Sequence, residues 1–181
     1  MKINVALFGL GRVGIMHAED ISLHPMFDLK YVFDTNQELS QKAAKKFKSK
    51  SLINPSEAFT DKNVNLIFIA SSTPTHVPLI IKSAKYKKVI FCEKPIDLNI
   101  NKVIKCRKSI KKYKPKIQIG FNRRYDPGHY SLKKSLLKGK IGKLEKIIIT
   151  SRDPAPPSLK YLKASGGIYR DMTIHDFDLV R

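Results

Sequence analysis

The sequence predicts an open, doubly wound parallel α/β sheet over residues 1–120, followed over 121–181 by the start of a second, incomplete α+β domain. Three observations predict it. Apolar runs of four to six residues alternate with helical patterns across the first 120 positions, as in a sheet whose connections cross over as helices. Two of those runs, 66–70 and 89–92, are apolar throughout, which suits strands covered on both faces. Past Gly120 the alternation stops and polar, arginine-bearing and proline-rich stretches take over.

The first run, from Ile3, passes directly into Gly9-Leu10-Gly11-Arg12-Val13-Gly14 and then into a helical pattern. Strand, glycine turn and helix in that order are the fingerprint of a Rossmann-type dinucleotide site. One glycine permits the tight turn, one lets backbone approach a pyrophosphate, and one lets the helix pack on the strand. The helix opening at Arg12 and Val13 aims unpaired N–H groups and the positive end of its dipole at whatever lies over the glycines. A second strand is expected over 29–33, ending in Asp34, twenty positions past Gly14. A carboxylate there accepts ribose hydroxyls and repels a 2′-phosphate, which favours NAD over NADP.

The remaining elements follow in order. A helix over 15–23 closes at His24-Pro25, and a basic helix runs from 34–36 to about Phe47. Asn54-Pro55-Ser56-Glu57 opens a short helix with Pro just inside it. The strand over 66–70 ends in Ser71-Ser72-Thr73-Pro74-Thr75-His76 and a helix over 77–86; the strand over 89–92 ends in Glu93-Lys94-Pro95 and a helix over 99–113. A last strand covers 117–120. Ligands of such sheets bind outside the carboxyl ends of the strands. Gly9 to Gly14, Asp34, the loop with Ser71, Thr73 and His76, and the turn with Glu93 and Lys94 all fall at such ends, so these residues are the expected cofactor contacts. In the second domain a helix is expected over 130–138, a strand over 144–150, a proline-rich loop over 153–157, and a turn into one helix over 165–181. That helix meets no Gly or Pro stop signal, and the lone strand has no sheet to join. The expectation is a second domain begun and cut short.

Composition narrows the possible functions. Lys and Arg number 35 against 15 Asp and Glu, a net charge of +20. The lysines are spread over several helices rather than gathered in one stripe interleaved with aromatics, so solvated helix faces account for them and no specific nucleic-acid partner is expected. No apolar run approaches the twenty or so residues of a membrane span, and the opening Met1-Lys2 and apolar run lack a signal-peptide cleavage site. Cys92 and Cys106 have neither metal-ligand nor disulfide spacing, so no metal is expected and a reducing cytoplasm is the simplest setting.

Oxidation of a carbinol requires a base for the hydroxyl proton while hydride departs. The candidates are His17, His24, His76, His129 and His175. His175 has the best surroundings, because Asp171 lies four residues earlier on the expected helix face and can orient the ring. Lys94, held at a strand end by Pro95, can hydrogen-bond the substrate oxygen and offset its developing charge. The plainer alternative makes Asp171 a helix-start acid, His175 a packed histidine and Lys94 surface charge.

Gly9-Leu10-Gly11-Arg12-Val13-Gly14, Glu93-Lys94-Pro95, Gly120-Phe121-Asn122-Arg123-Arg124-Tyr125-Asp126 and the Gly-Gly-x-x-x-Asp-x-x-x-His-Asp run from Gly166 together resemble the Gfo/Idh/MocA oxidoreductase family. The arginine pair and residues 171–178 are most similar to its inositol dehydrogenases. The resemblance implies an NAD(P)-binding Rossmann domain followed by a domain with a large, mostly antiparallel sheet that lines the substrate site and commonly mediates tetramers, so a homo-oligomer is implied for a full-length form. It implies hydride transfer from a ring carbinol of an inositol, polyol or sugar to NAD, with His175 as base, Asp171 as its partner and Lys94 positioning the hydroxyl. Arg123 and Asp178 would contact the polyol, and the Lys94-Pro95 bond would be cis. Asn122 and Ser151-Arg152-Asp153 depart from the best-known inositol dehydrogenases, which leaves another inositol isomer or a sugar as substrate. The competing expectation is a non-catalytic NAD-binding module or partner subunit.

Overall fold

The computed structural model describes residues 2–153 and 155–181; Met1 and Pro154, the latter in the expected proline-rich loop, lie outside the described residues. The chain forms two compact units, one up to Gly120 and one over Phe121–Arg181.

The first unit runs β1 (Ile3–Phe8), α1 (Arg12–Leu23), β2 (Phe27–Phe33), α2 (Gln37–Phe47), β3 (Lys50–Ser51), α3 (Ser56–Thr60), β4 (Leu66–Ile69), α4 (His76–Lys85), β5 (Val89–Cys92), α5 (Ile100–Ile110) and β6 (Ile117–Ile119). The strands form one parallel sheet in the order β3-β2-β1-β4-β5-β6. The order reverses between β1 and β4, the kind of switch point outside whose carboxyl ends such sheets bind ligands. Alternate residues of the central strands enter different cores. Val5, Leu7 and Phe68 join one cluster, while Ala6, Phe8, Ile67, Ile69, Ile90 and Cys92 join the other. Burial on both faces is why these strands read as unbroken apolar runs.

Side-chain caps set two of the helix starts in the first unit. The Asn36 side chain accepts the Glu38 and Leu39 N–H groups at the start of α2, and Asn99 accepts the Asn101 N–H at the start of α5. Boundaries differ from expectation in small ways. Helix α1 begins at Arg12, β2 begins two residues early at Phe27, and Pro55 stands at the cap of α3 rather than inside it. The two-residue β3 at the sheet edge was not expected: two residues are too short to show a period.

The second unit has a 3₁₀ turn over Asn122–Tyr125, then α6 (Pro127–Leu137), α7 (Leu159–Ser165), α8 (Ile168–Asp171) and α9 (Thr173–Val180). Three expectations are corrected here. Residues 144–150 form no regular strand, because an apolar, β-branched run does not by itself supply a neighbour to complete a ladder. The single helix expected toward the end is two, interrupted at Met172 (φ −102°, ψ −58°). A further helix, α7, follows the loop, where Ser158 Oγ accepts the Tyr161 N–H. No helix among the described residues is long and apolar enough to cross a membrane.

Candidate functional site

Sheet register lines up the candidate residues of the first unit. Phe8 pairs with both Phe33 and Ile69, Ile69 with Cys92, and Cys92 with Ile119. The strands therefore end in one row, and the residues just past it are Gly9, Asp34, Ala70-Ser71, Glu93 and Gly120. Backbone bonds of 2.8 Å from Gly9 N–H to Phe33 O, Ala70 N–H to Phe8 O and Glu93 N–H to Ile69 O carry the row one residue further.

Each glycine of the first turn has its own reason. Gly9 has φ +93°, and a Cβ on it would lie 2.4 Å from the Ser71 backbone. A Cβ on Gly14 would lie 2.0 Å from the Gly9 carbonyl oxygen, so only glycine lets α1 leave the strand at this angle. A Cβ on Gly11 would meet nothing within 4 Å. The fold does not need a glycine there, but a ligand passing close to the backbone does. The first bond within α1 runs from Ile15 N–H to Gly11 O, so the N–H groups of Arg12, Val13 and Gly14 precede the intrahelical ladder and face the helix mouth. An open cradle, first-turn donors and a dipole end fit a pyrophosphate.

Asp34 is fixed against this cradle. Its Oδ2 accepts the Leu10 N–H at 2.8 Å and its Oδ1 the Asn36 N–H at 2.9 Å. Oδ1 also accepts the Thr35 hydroxyl at 3.5 Å, so Oδ2 is the oxygen that retains a lone pair for a ribose hydroxyl. In the loop after β4, Ser71 Oγ and Thr75 Oγ1 lie 2.6 Å apart, and Thr73 starts a 3₁₀ turn. His76 corrects the expectation of a direct cofactor contact. Its side chain is 1% exposed, with Nδ1 2.8 Å from the Pro95 carbonyl and Nε2 2.8 Å from that of Ser71. The ring thus joins the loops after β4 and β5 from beneath.

The turn after β5 carries Glu93 and Lys94, and the Lys94-Pro95 bond is cis. Glu93 Oε1 lies 2.7 Å from His17 Nε2, and its Oε2 accepts the Lys94 N–H at 3.2 Å. Other histidines proposed as bases are engaged elsewhere: His24 Nδ1 accepts the Met26 N–H, and His129 in the first turn of α6 pairs with Asp126 at its cap. Backbone hydrogen bonding from His129 holds the Asp126 carboxyl below the usual range.

The second unit carries the remaining expected residues. Arg123 Nη1 donates to Ser151 Oγ at 3.0 Å and to the Asp176 carboxylate, and Ser151 Oγ donates to Asp176 Oδ1 at 2.8 Å. Arg124 grips Asp178 with both ends of its fork at 2.6 Å. That bond holds the Asp178 carboxyl below, and the Arg124 guanidinium above, its usual range. Asp178, expected to face a polyol, spends both oxygens on Arg124 and is 7% exposed at its side chain. Asp171 ends α8 and His175 lies in the first turn of α9, so the two do not share one helix face as the four-residue spacing implied. Asp171 Oδ1 accepts the Tyr161 hydroxyl at 2.8 Å, and the His175 ring meets the Phe121 ring edge-on at 6.2 Å. Tyr161 had no signal in the sequence because α7, which carries it, had none. Among the described residues no three His, Cys, Asp or Glu side chains gather as metal ligands.

Comparison with known proteins agrees with this geometry. The chain is 41% identical over 180 residues to the myo-inositol 2-dehydrogenase of Thermotoga maritima, covering 99% of this chain and 54% of that one. It is also 41% identical over 182 residues to an inositol 2-dehydrogenase of Rhizobium meliloti, covering 100% and 54%. A solved structure of a putative myo-inositol dehydrogenase from Sinorhizobium meliloti superposes with TM-score 0.95 at 38% identity, over 99% of this chain and 54% of that one. A scyllo-inositol dehydrogenase from Lactobacillus casei with bound NAD(H) and scyllo-inositol superposes with TM-score 0.87 at 28% identity, over 100% and 56%. The chain spans about half the length of the relatives it matches. The family profile described as an oxidoreductase family with an NAD-binding Rossmann fold matches residues 3–121. With its glycine cradle, fixed Asp34 and Glu93-Lys94-Pro95 turn along one sheet edge, the chain belongs to the Gfo/Idh/MocA family of oxidoreductases.

Proposed function

We propose that this chain is the cofactor-binding and residue-supplying part of an NAD-dependent dehydrogenase that oxidises a ring carbinol of an inositol or a related polyol or sugar. The observation that carries this reading is the open cradle at Gly11 beside the fixed Asp34 carboxylate, together with the similarity to inositol dehydrogenases over nearly the whole chain. NAD supplies the hydride acceptor. Gly9, Gly11, Arg12, Val13 and Gly14 receive its pyrophosphate, and Asp34 receives a ribose and disfavours NADP. Ser71, Thr73 and Glu93 line the same edge, and His76 holds their loops.

In this reading the Lys94 ammonium hydrogen-bonds the substrate hydroxyl and steadies negative charge on its oxygen. His175 takes the hydroxyl proton at a ring nitrogen, and Asp171 favours the protonated ring. Arg123 and Asp178 belong to the polyol-facing wall, Asp178 by way of Arg124. The substrate is a small uncharged polyol, and neither nucleic acid nor membrane is a partner. The two buried free thiols, Cys92 and Cys106, support a reducing cytoplasmic setting. A homo-oligomer is proposed only for a longer form.

The test is to supply NAD and a panel of inositols and sugars, and follow NADH formation. Turnover lost in His175→Ala and Lys94→Ala supports the reading, and absence of turnover with every polyol counts against it. The second reading, an NAD-binding module without catalysis, draws on the second unit, where no described residue is buried. NAD binding without turnover, unchanged in His175→Ala, would favour it.

A further inference from the structure

His17 lies on α1 one turn past Gly14, with its ring against two aromatic side chains. Its centroid is 4.6 Å from that of Phe68 and 5.7 Å from that of Phe91, edge-on, and those two rings stack at 4.1 Å. The platform limits the ring's freedom and directs Nε2 to Glu93 Oε1 at 2.7 Å. A carboxylate only accepts, so Nε2 carries a proton. The second Glu93 oxygen accepts the Lys94 N–H at 3.2 Å. Room for this carboxylate comes from residue 120, where a Cβ would lie 2.9 Å from Glu93 Oε1. Gly120 leaves the space, His17 orients the carboxylate, and Glu93 passes that orientation to the Lys94 peptide.

We propose that His17 is a positioning residue for Lys94. It links the helix that receives the pyrophosphate to the turn that presents the ammonium, through Glu93. The claim rests on the proposed dehydrogenase reading for its consequence in turnover, but its structural core can be tested apart from that reading. His17 takes no part in proton transfer to or from the substrate.

The test uses three variants of the chain. His17→Leu removes the donor and keeps an apolar body, His17→Gln keeps a donor, and Glu93→Gln keeps the shape with a weaker acceptor. Nitrogen spectra of the wild-type imidazole should show a proton on Nε2 of His17. Amide hydrogen exchange at Lys94 should quicken about tenfold or more in His17→Leu, by an intermediate factor in Glu93→Gln, and little in His17→Gln, with Ile67 and Ile90 in the sheet unchanged. In polyol oxidation, kcat should fall roughly 10- to 100-fold in His17→Leu with KM for NAD little changed, and return in His17→Gln.

Unchanged Lys94 exchange overturns the proposal, as does a bare Nε2. Exchange that quickens equally at Ile67 and Ile90 also overturns it, because that marks a general loosening. So does a normal kcat beside quickened Lys94 exchange. If His17→Leu does not fold, His17→Gln and Glu93→Gln decide by the same exchange readout. Absence of turnover in the wild type would sink the dehydrogenase reading instead, and leave the His17 link to be judged by exchange and the imidazole spectrum.

Discussion

The two units are held together by different forces. Every buried apolar side chain among the described residues, from Val5 to Ile110, belongs to the first unit, where two clusters sandwich the sheet. The second unit buries none among its described residues, and Ile148, Phe177 and Val180 are half or more exposed, or nearly so. Its order comes from side-chain bonds instead: Arg123 to Asp176 and Ser151, Arg124 to Asp178, and Tyr161 to Asp171. Burial is non-directional and additive over area, whereas each charge pair depends on geometry and on solvent. The unit with the dinucleotide cradle is therefore the rigid platform, and the unit with His175 is the one that solvent conditions can alter.

The largest expected contrast is mutational. Phe59 is 1% exposed and packs against Phe8 at 5.3 Å, so Phe59→Ala should cost about 3–5 kcal/mol in denaturant unfolding. Phe177→Ala removes an equally large ring but from a site 58% exposed, and should stay within about 0.5 kcal/mol. A large cost at Phe177 would break the comparison, because it would reveal a core in the second unit.

The next contrast separates folding from binding inside the first unit. Gly14→Ala puts a methyl 2.0 Å from a backbone oxygen and should lose both stability and NAD affinity. Gly11→Ala meets nothing within 4 Å, so its melting temperature should stay near wild type. Its NAD affinity, read by calorimetry, should still fall about tenfold or more, roughly 1.4 kcal/mol, because the methyl occupies the pyrophosphate's approach. Normal affinity in Gly11→Ala would move the cofactor elsewhere. Asp34→Asn should weaken NAD binding less and narrow the preference over NADP, since the amide keeps an acceptor for Leu10 but loses the charge that repels a 2′-phosphate.

The same division marks how much was legible in the sequence. The strand Val89–Cys92 is read to the residue, because a run buried on both faces announces itself by composition alone. Asp34 is legible because its offset from the glycines is a consequence of one helix and one strand of ordinary length. Residues 144–150 are not, because an apolar, β-branched run is local and a ladder partner is not. Nor is the break at Met172, since 168–171 and 173–180 are both good helical sequence. Spacing finds His76 and Asp178 but cannot show that two carbonyls surround one and a forked guanidinium occupies the other. The residue type of His17 suits a base, and its actual partner is hidden from sequence reading because it lies 76 residues away.

The smallest expected effect concerns acid. Asp178 has a carboxyl lowered by its bonds to Arg124. Asp61, in the first unit, is lowered to about 2 by the Lys30 ammonium, with help from the Asn63 N–H and the Tyr31 hydroxyl. A depressed carboxyl contributes stability above its unfolded value of about 3.8, and that contribution is lost as pH falls through the folded value. Both units should therefore weaken below pH 4, but they have different reserves. The first keeps its buried sheet when Asp61 is protonated; the second loses the bond that holds α9. Amide exchange along α9 should quicken as pH falls below about 4, Asp178 being lowered from the usual carboxylate value, while the β4 amides stay protected, by an amount on the order of 1 kcal/mol given the half-exposed Arg124. Asp178→Asn should remove that acid dependence and bring the faster exchange to neutral pH. Added salt should loosen α9 in the same direction at neutral pH, since screening weakens Arg124–Asp178 but not apolar burial. Equal acid sensitivity in β4 and α9 would mean that one set of forces holds both units.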